Sequence, residues 1–248
     1  MKSFKIYAIG IIFLFSSGLI ISCTKSFDEK TVQQSNFSNS SLVRVFLATV
    51  NASRNYIYVD GKPITGALLS SGSTFPSTSA FASSILPGVR AFLVRDTLPA
   101  TTQVPLSFAE NLQVGKNYSI FIYDTITSPK QKTVETVYQI PTDTTVRIRF
   151  ANFIYNPTIV PAIDVFSFSR NANIFTNVAV TEVTDFIPYS IFYPTPGVND
   201  TLYIRETGTT INILKLPLTG VFTQKRSYTF LYRGSHRGTR ILTPYTDR

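Results

Sequence analysis

The sequence predicts an all-β protein in which two tandem antiparallel β-sandwich domains follow an export signal and a flexible tether. Residues that favour strands are abundant, since the 248-residue chain contains 31 Thr, 20 Phe and 13 Tyr. Short apolar and alternating segments are separated by Gly and Pro turns, as in β-sandwiches. The pattern of the first half recurs in the second half, and no segment after residue 23 shows helical periodicity.

The first 22 residues predict a cleaved export signal. Lys2 and Lys5 provide positive charge, and an uncharged, mainly apolar run of 16 residues follows from Ile6 to Ile21. This run is shorter than the roughly 20 residues that cross a bilayer as a helix. A signal peptide is therefore favoured over a permanent membrane span.

The end of this signal resembles the lipobox of bacterial lipoproteins. In that motif a small residue, here Ser22, precedes a cysteine that is acylated with chains such as palmitate, here Cys23. Ile20 stands where leucine is usual, and the alternative is an ordinary secretory signal. The resemblance implies an outer-membrane lipid anchor, because Thr24 replaces the aspartate that retains some lipoproteins at the inner membrane. The acidic pair at 28–29 is similar to a surface-export signal, and two solvated charges in the tether are the alternative explanation; we expect the cell surface.

The domain boundaries follow from composition. Residues 1–22 are the predicted signal peptide, and 23–41 are the acylated cysteine and a polar tether with no apolar face to bury. The two sandwiches are predicted at 42–141 and 142–248.

The strands are predicted from alternation and turn signals. Val43, Val45 and Leu47 share one face of the first strand. The next strand, from Tyr56 to Val59, ends at the hairpin signal Asp60-Gly61. The remaining predicted strands span 92–94, 118–123 and 133–140 in the first copy and 163–168, 201–204, 228–232 and 239–242 in the second.

Four segments recur in the same order in both copies. These segments are 43–48 and 146–151, 56–61 and 162–166, 87–89 and 196–198, and 115–121 and 224–230. Pro87 precedes Tyr118 by 31 positions, and Pro196 precedes Tyr228 by 32. The preserved order and spacing indicate an internal duplication.

These segments resemble domain-of-unknown-function family 4397. The similarity lies in the Arg-Val or Arg-Ile start of each copy, the Pro-Gly-Val turns and the Tyr-rich last strand, and it covers residues 42–248. It implies tandem immunoglobulin-like modules in a bacterial cell-surface lipoprotein, with no established activity or cofactor. The family's His-Ala-Ser-Pro-like segment is replaced here by residues 48–52 and 151–155.

The composition argues against most catalytic chemistry. One Cys, one His and one Met cannot build a zinc finger, a disulfide framework or a cysteine redox pair, so we expect no metal and no cofactor. The single histidine, His236, lies among arginines in a turn-like segment and is a poor member of a Ser-His-Asp triad. No phosphate-binding glycine motif occurs. We therefore expect a non-catalytic protein.

A carboxylate-dependent glycan hydrolase is one alternative, because such enzymes need only two acidic groups. Glu182 and Asp185 lie close together in a loop and are the candidates. Asp60 and Asp164 fall at matching places in the aligned copies, which favours a structural role in hydrogen bonding.

A structural subunit of a surface fibre, similar to lipidated fimbrillins, is the other alternative. Such a subunit would require proteolytic removal of the first strand. Arg44 and Arg54 are the nearby arginines, although neither lies in an evident processing loop.

The basic C-terminal end is the candidate ligand site. Loss of Lys2 and Lys5 with the signal lowers the formal charge from +9 to +7. An anionic polysaccharide or a surface protein is the expected partner of an exported lipoprotein, and nucleic acid is not; a solvated strand face is the alternative. The candidate residues are Tyr232, Arg233, Arg237 and Arg240.

Four threonines that follow an aspartate resemble an O-glycosylation acceptor pattern of exported Gram-negative proteins. They are Thr97, Thr125, Thr144 and Thr201. Chance matches are also expected in so Thr-rich a chain.

Overall fold

The computed structural model describes residues 39–51, 53–77, 82–138, 140–191 and 200–247. The regular elements in these ranges are β-strands, which confirms the all-β prediction. None of these residues belongs to a helix long and apolar enough to span a membrane. The predicted signal peptide, Cys23 and most of the predicted tether lie outside the described residues.

The first half of the described chain contains nine strands in two sheets. The inner sheet has the order β4-β1-β8-β9, with β5 also pairing with β1, and the outer sheet has the order β3-β2-β6-β7. The strands are β1 (Ser41–Leu47), β2 (Tyr56–Val59), β3 (Lys62–Pro63), β4 (Thr74–Phe75), β5 (Ser83–Ile85), β6 (Gly88–Arg95), β7 (Leu106–Leu112), β8 (Asn117–Thr125) and β9 (Ser128–Glu135).

The second half repeats this plan with eight strands. Its inner sheet has the order β13-β10-β16-β17, and its outer sheet has the order β12-β11-β14-β15. The strands are β10 (Val146–Asn152), β11 (Ile163–Ser167), β12 (Ala172–Val178), β13 (Ile187–Tyr189), β14 (Thr201–Glu206), β15 (Asn212–Pro217), β16 (Ser227–Gly234) and β17 (Arg240–Thr246).

Each inner sheet contains one parallel pair, which departs from the predicted antiparallel pairing. β1 pairs in parallel with β8, and β10 pairs in parallel with β16, while the other strand pairs are antiparallel. The reason is topological, because four strands of the outer sheet and the short edge strands of the inner sheet separate β1 from β8, and the same holds for β10 and β16. Such a long crossover allows two strands of one sheet to run in the same direction.

Each half has its own apolar core between its two sheets. In the first half, Val45 of β1 and Ile120 of β8 belong to one buried cluster with Ile57 of β2 and Phe92 of β6. The corresponding cluster of the second half contains residues of β10, β16, β11 and β14. Alternation along each strand places these side chains on the face that is turned to the opposite sheet.

A tyrosine closes one loop in each half. The hydroxyl of Tyr118 accepts the backbone N–H of Gln113 at 3.0 Å, and that of Tyr228 accepts the N–H of Thr223 at 2.6 Å. In both cases the donor lies five residues before the tyrosine. The two tyrosines that the sequence aligned thus make the same contact.

The two inner sheets also pack against each other, at a junction that we name the seam. Phe46, Phe121 and Phe153 stack in succession there, with ring centroids 4.8 Å and 4.5 Å apart. Both faces of each inner sheet are therefore buried. This explains the almost continuous burial along β1 and β10, which resembles that of strands covered on both faces.

Buried charges cross the seam beside these rings. Arg44, Arg149 and Asp247 are only 2–4% exposed. Arg44 Nη1 lies 3.4 Å from Asp247 Oδ1. Arg149 donates through Nε to Thr229 Oγ1 and through Nη2 to Ser119 Oγ, both at 2.8 Å. Thr229 in turn donates to Asp247 Oδ2, so both arginines are connected to one carboxylate.

The strand register corrects the sequence alignment of the two copies. In the parallel pairs, Arg44 lies opposite Ser119 and Arg149 lies opposite Thr229. The counterpart of Arg44 is therefore Arg149, two residues beyond the one that the sequence motif suggested. Asp60 and Asp164 are not equivalent either, because Asp60 follows β2 whereas Asp164 lies inside β11.

Strand boundaries differ most at the sheet edges. The last strand of the first half ends at Glu135, while the sequence predicted 133–140. The edge strands β7, β12 and β15 were not predicted. Burial is irregular along β12 and β15, whose pairing is interrupted by register shifts, whereas β7 alternates between half-buried and exposed residues and has a period of two.

We expect Asp247→Asn to lower the free energy of unfolding by about 3–5 kcal/mol, because it leaves two buried guanidinium groups without a charged partner. Urea denaturation of the full-length protein, followed by tyrosine fluorescence, measures the change. Asp185→Asn removes an exposed carboxylate and serves as the control. Equal stability of the two variants would contradict a stabilising role for the charges in the seam.

Candidate functional site

The described residues form clefts along the seam, and we consider three that are lined by residues of both halves. The tyrosine cleft, of about 380 Å³, lies between the β8–β9 hairpin and the loop after β10. The Arg149 cleft, of about 340 Å³, lies between the end of β9 and residues 183–186. The Arg233 cleft, of about 300 Å³, lies between residues 49–51 and the β16–β17 hairpin. Junctions of this kind are common places for ligand sites.

The first-half wall of the tyrosine cleft is an aromatic ring beside an ion pair. The Tyr123 ring centroid lies 5.1 Å from that of Phe153, which forms part of the cleft lining. Asp124 has a positive φ of 74°, and its Oδ2 lies 2.7 Å from Lys130 Nζ. The hydrogen bond and the negative charge of Asp124 raise the pKa of Lys130. This wall therefore presents a charged ion pair next to the aromatic ring.

The second-half wall is a loop that is held by backbone hydrogen bonds. Tyr155 donates its N–H to Gly234 O and accepts the N–H of His236, both at 2.8 Å. Asn156 Nδ2 donates to Thr158 Oγ1 at 2.7 Å, while the buried Asn156 Oδ1 has no hydrogen-bond partner in the structure. Ile159 is 95% exposed at the rim. The wall therefore presents a ring, an amide, a hydroxyl and an apolar side chain.

This combination suits a ligand that has both apolar faces and hydroxyl groups. Tyrosine rings supply apolar contact and end in a hydroxyl. The hydroxyl of Thr158 and the ammonium group of Lys130 line the cleft and can form hydrogen bonds with a ligand. The cleft is therefore equipped for binding such a ligand.

The Arg149 cleft has a different chemistry. The guanidinium group is bound by Thr229, Thr136 and Ser119, and it lies 4.7 Å from the Phe186 ring centroid. Burial lowers the pKa of Arg149, because it disfavours the charged form. Most donors of this arginine are already engaged inside the protein. We therefore assign it to the seam and not to a ligand.

The two carboxylates of the hydrolase alternative do not meet in this cleft. Asp185 contributes to its lining, but Glu182 is not part of the lining. Glu182 instead accepts the N–H of Ala179 at 2.9 Å and closes a tight turn. The structure therefore does not bring Glu182 and Asp185 together as a catalytic pair at this cleft.

The structure does not bring the four predicted basic-site residues together. Tyr232 is fully buried in the second core and offers no surface to a ligand. Arg233 points into the seam, where its Nη1 lies 3.4 Å from Ser71 Oγ. Arg240 is paired with Gly234, the residue after Arg233, so the two arginines lie on opposite faces of the sheet. Arg237 is exposed in the hairpin turn between them.

Gly72 shows how closely Arg233 is packed. Its φ is +83°, and a Cβ at this position would collide with the Arg233 guanidinium group. Tyr245 also donates its hydroxyl hydrogen to Gly72 O at 2.5 Å. Arg233 thus joins the two halves and is not a free surface cation.

His236 is buried, although its sequence context suggested a solvated turn. It is 7% exposed, and its Nε2 lies 3.1 Å from Glu206 Oε1. The hairpin that carries it folds back onto the loop at Tyr155. The tertiary packing of the hairpin, which the local composition does not reveal, accounts for its burial.

The Asp-Thr repeats have a local structural explanation. Asp96, Asp124 and Asp200 each accept the N–H of the following threonine at 2.7–2.8 Å. Asp143 accepts the N–H of Thr145 at 3.0 Å. An aspartate that caps a turn in this way is a common device. Glycosylation at the following threonines stays a prediction; Thr97 and Thr144 are exposed, and Thr125 and Thr201 are half-buried at strand ends.

No protein-family model matches the chain, and no curated protein that was compared with it matches either. The resemblance to family 4397 therefore stays a prediction from the motifs.

The Asp200 turn predicts a loss of stability in acid. Burial raises the pKa of Asp200, but hydrogen bonds from Ser167, Ser169 and Tyr189 outweigh burial and hold the pKa below its usual 3.8. A lowered pKa in the folded state stabilises the protein above the unfolded-state pKa, and this stabilisation is lost as the pH falls through the folded-state value.

We expect Asp200→Asn to be less stable than wild type at neutral pH and to lose less further stability between about pH 5 and about pH 2. Urea denaturation across this range measures both effects. Asp185→Asn controls for the loss of one carboxylate. If the free energy of unfolding falls as steeply with decreasing pH in Asp200→Asn as in wild type, Asp200 does not contribute to the acid sensitivity.

Proposed function

We propose that the protein is a non-catalytic, lipid-anchored binding module of the outer cell surface, which takes a glycan in the tyrosine cleft. The observation that carries this proposal is the composition of the cleft. Tyr123 and Tyr155 line one cleft together with the polar side chains of Lys130, Asn156 and Thr158. Sugars present apolar C–H faces and many hydroxyls, and both find partners there.

The proposed architecture is two tandem immunoglobulin-like domains behind a lipid anchor at Cys23. Its support is the repeated plan of an inner and an outer sheet with a separate core in each half. The lipobox-like segment and the motifs shared with family 4397 support a surface lipoprotein. The seam would then hold the two domains together, so that a cleft lined by both can recognise one ligand.

The fibre alternative is not proposed, because it would require removal of β1. This strand is paired with β4 and β5 on one side and with β8 on the other. Its side chains belong to both the first core and the seam. Arg44 is buried within the strand, and loss of the strand would expose apolar surface on both of its faces.

A glycan array tests the binding proposal. The full-length protein, solubilised in detergent, is applied to immobilised neutral and acidic oligosaccharides. We expect Ile159→Glu to weaken binding to the recognised glycan about tenfold, because it places a charge at the rim of the cleft. The matched control is Val114→Glu, which changes a 54% exposed valine that does not line the tyrosine cleft. Equal binding by both variants, or binding to no oligosaccharide, would overturn the proposal.

The proposed location has a separate test. Protease added to intact cells should digest the wild-type protein, and Cys23→Ala should be released from the membrane fraction because it lacks the acylated residue. Protection of the wild-type protein until the outer membrane is opened would contradict surface exposure. A wild-type protein that is not acylated would contradict the lipid anchor.

A further inference from the structure

The outward faces of the two outer sheets share one feature and differ in another. The shared feature is an arginine over an aromatic ring. Arg95 lies 5.1 Å from the Tyr58 ring centroid in the first half, and Arg205 lies 3.6 Å from that of Phe166 in the second. The strand register places the two pairs at equivalent positions. A contact that recurs in both copies is most simply a part of the fold.

The second half adds two rings that the first half lacks. Tyr203 lies directly opposite Phe166, whereas the equivalent neighbour of Tyr58 is Leu93. Phe168 follows β11, is 66% exposed, and has its ring centroid 6.3 Å from that of Tyr203. At the position equivalent to Phe168, the first half has Asp60, which is paired with Arg90. The first half folds without these rings, so the fold does not require them.

These groups form one continuous surface, which we name the aromatic platform. The strand register aligns four side chains in a row across the sheet, namely Asn173, Phe166, Tyr203 and Lys215. Neighbouring strands lie about 4.8 Å apart, so the row is roughly 14 Å long. Arg205 lies two residues from Tyr203 on the same face of β14.

Among the residues that the structure describes, no carboxylate pairs with either cation of the platform. Neither Arg205 nor Lys215 forms an ion pair with another described residue. Arg205 Nε donates to Asn212 Oδ1 at 2.7 Å, which leaves its terminal nitrogens for a ligand. Asp164 faces Arg205 in the register but accepts hydrogen bonds from Asn173, Asn177 and Thr207 instead.

We propose that the aromatic platform is a second ligand site, which binds an acidic oligosaccharide built from uronic acid units. The rings of Phe168 and Tyr203 are inclined at 67° to each other, so each contacts the C–H groups of a different sugar unit. Arg205 and Lys215 bind the carboxylates, and a guanidinium group is suited to this because its donors match a carboxylate in geometry. The platform shares no residue with the tyrosine cleft, so the proposal for one site can be wrong while the proposal for the other is right.

Calorimetric titration of the full-length protein in detergent with a galacturonic acid hexasaccharide tests the platform. We expect Phe168→Ala and Arg205→Gln each to weaken binding about tenfold, since each removes one principal contact. Methyl esterification of the ligand should weaken binding to a similar extent, and added salt should weaken it further. The matched controls, Arg95→Gln and Tyr58→Ala, remove the equivalent pair in the first half and should bind within about twofold of wild type.

Three outcomes would contradict the proposal that the aromatic platform binds an acidic oligosaccharide. The first is absence of binding of the acidic hexasaccharide by wild type. The second is equal weakening by the first-half controls, which would indicate a nonspecific effect of charge or folding. The third is loss of binding in Ile159→Glu with wild-type binding in Arg205→Gln, which would assign the acidic ligand to the tyrosine cleft. Phe168→Ala changes an exposed ring, so its circular dichroism should match that of wild type.

Discussion

The packing of one inner sheet against the other is the constraint on which the rest of the structure depends. It covers the second face of β1, β8, β10 and β16, so these strands have no face left for water. Any polar side chain on that face must then find its partners inside the protein. The arrangement of Arg44, Arg149 and Asp247 answers this requirement, because one carboxylate serves two guanidinium groups directly or through Thr229. The three clefts lie at the margins of the seam, where residues of both halves meet.

The duplicated plan separates what the fold needs from what one copy has added. Both halves have a tyrosine that closes a loop and an arginine over an outward ring. These contacts satisfy backbone groups or cover a ring, and both copies need them for the same physical reason. Exposed rings such as Phe168 satisfy no such need and cost solvation free energy on an open surface. Their presence in one copy alone points to a ligand.

The two proposed sites make different demands on the fold. The tyrosine cleft needs both halves in place, because its rings come from β8 on one side and from the loop after β10 on the other. The aromatic platform needs only the second outer sheet, whose register aligns the row of side chains. Damage to the seam should therefore affect the cleft first. A lipid anchor at Cys23 would hold both sites at the cell surface without taking part in either.

Local sequence determined that the chain forms strands, that a hairpin follows β2, and that Tyr118 and Tyr228 are equivalent. Alternation, turn residues and spacing act over a few neighbouring positions, so they can be recognised in the sequence alone. Tertiary structure alone decided which arginine enters the seam, since the partner strands β1 and β8 are far apart in the chain and their register has no local signal. It also buried Tyr232 and separated Arg233 from Arg240. Four arginine and tyrosine residues that are close in sequence share no surface, because a strand turns successive side chains to opposite faces.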